Sequence, residues 1–171
     1  MSESPAVLAH AADLLARRHA NIELRWAQRV VTFGHFKGRG DLHLADVLDH
    51  IPLLTEAVIA VLRDGHQPDA FQPGGEFYNR ARTHAWTRHE QRVRPEEVID
   101  ELRVFRAEIW RELRHRLPRE MTLAAEDVFI LEEHINYALD LIVGASLQAL
   151  RELDALDWSM LPPLPPLPTE D

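Results

Sequence analysis

The chain has 171 residues, 28 acidic against 19 basic, a formal net charge of −9 and no cysteine. That length supports one domain with a real core. The acidic balance argues against nucleic acid and against an anionic membrane surface as partners, and the absence of cysteine excludes a disulfide framework, thiol catalysis and cysteine metal sites. Met1 to His10 lack the basic and apolar regions of a signal peptide, and no apolar run approaches the ~20 residues that span a bilayer. A cytoplasmic protein is expected.

The periodicity predicts an all-α fold of about five helices, an antiparallel bundle or a globin-like arrangement, over residues 1–157. The first helix runs from about Pro5 to Phe33, with Val7, Ala11, Leu14, Ile22, Trp26 and Val30 at helical spacing and a polar break at Arg17, Arg18 and His19. Gly34, Gly38 and Gly40 mark a loop. The second helix spans about Leu42 to Asp64. Pro52 lies inside it, so a kink or break is expected near Asp49 to Ile51, and Gly65 suits its end. Gly65 to Gly75, with Pro68, Pro73 and Gly74, reads as a loop. A third helix covers about Glu76 to Arg92. The fourth starts at Pro95, with Glu96 and Glu97 at its positive end, and is expected to close at Leu117 before Pro118.

The fifth and longest helix covers about Ala124 to Leu156, roughly 50 Å at 1.5 Å per residue. Ile135, Leu139, Ile142, Ser146, Ala149, Leu153 and Leu156 alternate steps of four and three, a heptad-like seam. It faces either a second copy of the chain, making a homodimer, or the chain's own bundle. Residues 158–171 are proline-rich. Leu161 to Pro168 should be an extended, semi-rigid spacer towards a further domain or a free end, or a ligand for a proline-recognition domain.

The chemically informative feature is a stripe on the third helix that starts apolar and turns polar: Phe77, Ala81, His84, Arg88, Gln91. The fourth helix answers with Val98, Leu102, Phe105 and Ile109, flanked by Glu101 and Arg106. Buried polar groups cost several kcal/mol unless paired. His84 and Arg88 share a face, and Glu101 can meet them across an antiparallel pair. Two readings follow. One is a buried ion-pair network that fixes the register of the two helices. The other is a pocket for an anion or small acid, with Arg88 or Arg106 as forked donor.

His84, Arg88, Gln91, Glu97, Glu101 and Arg106 together form a His-x3-Arg-x2-Gln-x5-Glu-x3-Glu-x4-Arg pattern. It resembles that of the N-terminal domain of RsbRD-type stress-signalling proteins, a domain also found ahead of bacterial sensor histidine kinases. Leu48-Asp49-His50-Ile51-Pro52-Leu53-Leu54 resembles the family's Leu-x-x-x-Pro-x-Leu-Leu signature with one position fewer after the proline, and Arg25-Trp26 with Val30 resembles its first helix. The similarity touches about residues 12 to 150. The family often carries Gly where this chain has Ala85, Gly near Arg92 and an aromatic near Leu102. The resemblance implies an all-helical, globin-like or bundle-like input module that passes a signal to a C-terminal effector, a partner kinase or an anti-sigma protein. No phosphoacceptor motif or ATP-binding segment of a kinase occurs in the chain.

Ten histidines invite a metal site, but the spacings give none. His84 and His89 are five apart, Glu133 and His134 are adjacent, and there is no His-Glu-x-x-His. A globin-like fold would have room for haem on one axial histidine, His84 or His50, as an alternative function. No Gly-rich phosphate loop or nucleophile elbow is visible, so no catalysis is expected. Trp26, Trp86 and Trp110 suit core or interface packing, and Trp158 could anchor a partner domain.

Overall fold

The computed structural model describes residues 6–33, 44–48 and 51–155. The Gly34–Gly40 loop, His50, Leu156, Trp158 and the proline-rich 158–171 lie outside them. Among the described residues the protein is all-α, with no strand. The helices are α1 (Ala6–Phe33), α2 (Leu44–Leu48), α3 (Ile51–Asp64), α4 (Glu76–Glu90), α5 (Pro95–Glu120) and α6 (Ala125–Ala155), with a 3-10 turn over Pro68–Phe71 inside the expected loop. None is long and apolar enough to cross a membrane.

The expected second helix is described in two pieces, α2 to Leu48 and α3 from Ile51, and the kink or break expected near Asp49 to Ile51 falls on Asp49 and His50, which lie outside the described residues. Pro52 is the second residue of α3, a position that tolerates its missing N–H. Gly65 follows α3 with φ 79°, and its N–H bonds the Val61 carbonyl at 3.0 Å. α4 stops two residues early because Arg92 adopts φ 57°. The Val93 N–H reaches the Arg88 carbonyl and the Arg92 N–H the His89 carbonyl, both at 2.9 Å. These are the two bonds of a Schellman cap, with Val93 buried behind it.

α5 starts as expected at Pro95, and the Glu97 carboxylate accepts the Arg94 N–H at 2.8 Å. Its end corrects the expectation: the helix runs through Pro118 to Glu120. Proline there leaves only the Arg114 carbonyl without its helical donor. Arg114 is exposed, so water can replace that bond.

α1 lies antiparallel to α5 and also packs on α3, while α6 packs on α4 and α3. The core runs between them. Trp26, Phe105, Ile51, Leu54, Leu62 and Ile109 are fully buried within it. The heptad-like seam is part of this core, which corrects its reading as a surface for a second copy. Ile135, Leu139, Ile142, Ser146, Ala149 and Leu153 are all buried within the single chain. Side chains spent on the chain's own bundle cannot also face a partner.

Candidate functional site

The stripe that turns polar on α4 is buried, and α5 answers it. His84, Arg88 and Glu101 are at most 1 % exposed. The Arg88 Nε donates to both Glu101 oxygens, at 3.0 and 2.8 Å. One terminal nitrogen of Arg88 donates to the Gln91 Oε1 at 2.8 Å, and the other to the Val47 carbonyl at 2.9 Å. Gln91 in turn donates to the Asp46 carbonyl at 3.2 Å. The His84 Nε2 stands 3.7 Å from the Glu101 carboxylate. The Trp26 indole N–H donates to the Glu101 backbone carbonyl at 3.0 Å, and the Arg88 guanidinium lies 5.9 Å from the Trp26 ring centroid.

Geometry explains why these residue types are needed. A guanidinium has five donors in a rigid fork. Here the fork spans one carboxylate on α5, one amide on the end of α4 and one carbonyl at the end of α2. A lysine could hold the charge but not three directions at once. α2 offers the backbone carbonyls of Asp46 and Val47. The network therefore ties three helices together, with α1 adding Trp26 as its wall.

Of the expected site residues, His84, Arg88, Gln91 and Glu101 come together. Arg106 does not, which corrects its place in the set. It pairs with Asp140 on the surface between α5 and α6. From Glu101 to Arg106 is five residues, about 500° of helical rotation, or some 140° around the axis. Arg106 therefore faces away from α4. Glu97 belongs to the α5 start, bonded to Arg94. Of the tryptophans, Trp26 is wholly buried, Trp110 is half-buried and Trp86 is 44 % exposed on α4.

A second polar constellation was not singled out from the sequence. Along the α1–α5 seam, Glu108 and Glu112 are buried carboxylates, 0 and 4 % exposed. Arg25 donates to Glu108 at 2.9 Å and to Glu112 at 2.7 Å, Arg29 to Glu108 at 2.8 Å, and Arg18 to Glu112 at 3.0 Å. Farther along, Arg17 and His10 share Glu120. Burial alone would raise the Glu108 carboxyl, but bonds from Arg29 and Arg25 outweigh it and hold it below the usual carboxylate range. Glu112 is likewise lowered, burial being overcome by Arg18 and Arg25. Arg25, which burial would lower, is raised by the same two carboxylates. A signal was present: Arg18, Arg25 and Arg29 step by seven and four along α1, and Glu108 and Glu112 lie four apart on α5. What reads as a polar break in α1 is one side of an antiparallel ladder.

No group of histidine or acidic side chains among the described residues is arranged to hold a metal ion. Comparison of the chain with family models, with curated proteins and with solved structures finds no match.

Proposed function

We propose that this chain is a non-catalytic input domain of a bacterial signalling protein, of the RsbRD type, placed ahead of or partnered with a histidine kinase in the cytoplasm. The observation that carries this reading is the buried network itself. Four of the six residues in the spaced motif, His84, Arg88, Gln91 and Glu101, converge on one buried centre although they come from two helices.

A buried ion pair is weak evidence for stability, because hydrophobic side chains of similar volume often serve as well. It is well suited to specifying one packing against another. Arg88 reads the position of α2 through Val47 and of α5 through Glu101. A second packing of these helices would have to break or exchange those bonds together, which makes the element two-state rather than graded. A signal acts on it by binding one packing better than the other. α6 lies on α4 and ends next to the proline-rich tail, so it is the route by which a change would leave the domain.

The reading is tested by fusion. The chain replaces the N-terminal domain of a kinase that carries an RsbRD-type input, and autophosphorylation is measured for the wild type, Glu101→Gln and Arg88→Lys. Altered kinase output in folded variants is expected. Output indifferent to both substitutions, with the fold retained, would contradict a signalling role for the network.

A further inference from the structure

The α1–α5 ladder leaves positive charge over. Glu108 and Glu112 neutralise two of the five arginines that surround them: Arg18, Arg25, Arg29, Arg111 and Arg116. Five cations against two carboxylates leave an excess of three positive charges on one face of a chain whose net charge is −9. Two adjoining clefts open there, each of about 270 Å³. One is lined by Arg18, Glu112, His115 and Arg116, the other by Gln28, Arg29 and Thr32, and Arg25 and Arg111 line both, the Glu112 carboxylate being already engaged by Arg18 and Arg25.

The arginines are not equally occupied. Arg18, Arg25 and Arg29 are engaged by the carboxylates. Arg111 and Arg116 only approach them, at 3.8 and 3.6 Å, and donate no hydrogen bond among the described residues. Their side chains are 64 and 41 % exposed. Guanidinium forks match the paired oxygens of phosphate and carboxylate. An excess of three charges favours a multiply charged anion over a monocarboxylate, because each unmatched cation repels its neighbours until an anion arrives. Two clefts sharing Arg25 and Arg111 fit two linked anionic groups better than one. His115 is the one ring side chain lining either cleft, and no Phe, Tyr or Trp lines them.

We propose that this trough binds a small anion of the diphosphate class, one phosphoryl group in each cleft, with Arg111 and Arg116 as the donors that the fold leaves uncommitted. The site is separate from the Arg88–Glu101 network, and the proposal stands whether or not the domain signals.

Calorimetric titration of the full chain with inorganic pyrophosphate, at constant ionic strength set with chloride, tests it. The wild type should bind one equivalent. Arg111→Gln/Arg116→Gln should weaken binding about tenfold or more, as expected for lost charge-assisted bonds, with an unchanged melting temperature in buffer. Arg103→Gln, an exposed arginine paired with Asp100 at another place on α5, should bind as the wild type does. ADP binding equal to pyrophosphate would identify a nucleotide as a possible source of the diphosphate. Pyrophosphate binding without ADP binding would exclude an adenine nucleotide as the source. No heat with the wild type, or equal affinity in the double variant, would overturn the proposal.

Discussion

At the scale of single residues, three positions depart from what their neighbours prefer. Arg92 holds a left-handed backbone, φ 57°, where a Schellman cap favours glycine. A left-handed conformation costs a residue with a Cβ roughly 1 kcal/mol, partly offset by the greater freedom glycine loses on folding. Arg92→Gly should therefore raise the urea midpoint, by about 0.5 kcal/mol in stability. Gly75 shows the opposite constraint. A Cβ there would run into the backbone carbonyl oxygens of Asp69 and Ala70 in the 3-10 turn. Gly75→Ala should cost about 1–3 kcal/mol, seen as a lower melting temperature. Ser146 is wholly buried on α6, and its hydroxyl has no hydrogen-bond partner among the described residues. Ser146→Ala should be neutral or stabilising, since it removes an unsatisfied polar group without opening a large cavity.

At the scale of elements, the helices were legible because their apolar spacing is regular, and their ends were less so. Pro118 did not end α5, because an exposed last turn tolerates one lost bond. The α4 side of the buried network was legible as polar residues on an apolar stripe. The partner from α2 was not, because Arg88 reads backbone carbonyls at Asp46 and Val47, and a carbonyl leaves no trace in residue type. The α1–α5 ladder was missed for a different reason: arginines and glutamates on separate helices look like ordinary solvated faces until the helices are paired. That ladder makes a prediction about acid. Glu108 and Glu112 titrate below their ordinary value in the folded chain. The unfolded chain takes up protons first, near the usual glutamate value of about 4.3. The ladder's contribution is thus complete above that pH and is lost as pH falls through the lower native values. Stability measured by urea at successive pH values should fall below about pH 4, and Glu108→Gln/Glu112→Gln should flatten that fall while lowering stability at neutral pH. An unchanged slope in the variant would remove these two carboxylates from the acid transition.

At the scale of the whole molecule, α6 and the buried network join the helices of the bundle. The α6 seam is spent on α3 and α4, so Ile142→Ala should cost about 2–5 kcal/mol and leave the oligomeric state by native mass spectrometry as it is in the wild type. A change of oligomeric state without loss of stability would return the seam to a partner. The network sits where α2, α4 and α5 meet, and Arg88 bonded to Glu101 joins α4 to α5 there. That pairing is measured most directly by a double-mutant cycle in urea with Arg88→Met, Glu101→Leu and the two combined. Each single substitution strands a buried charge or its acceptors and should cost about 3–5 kcal/mol, while the double should recover much of that loss. A coupling of about 2 kcal/mol or more is expected, and additivity within about 0.5 kcal/mol would contradict a buried pair that locks the three helices together.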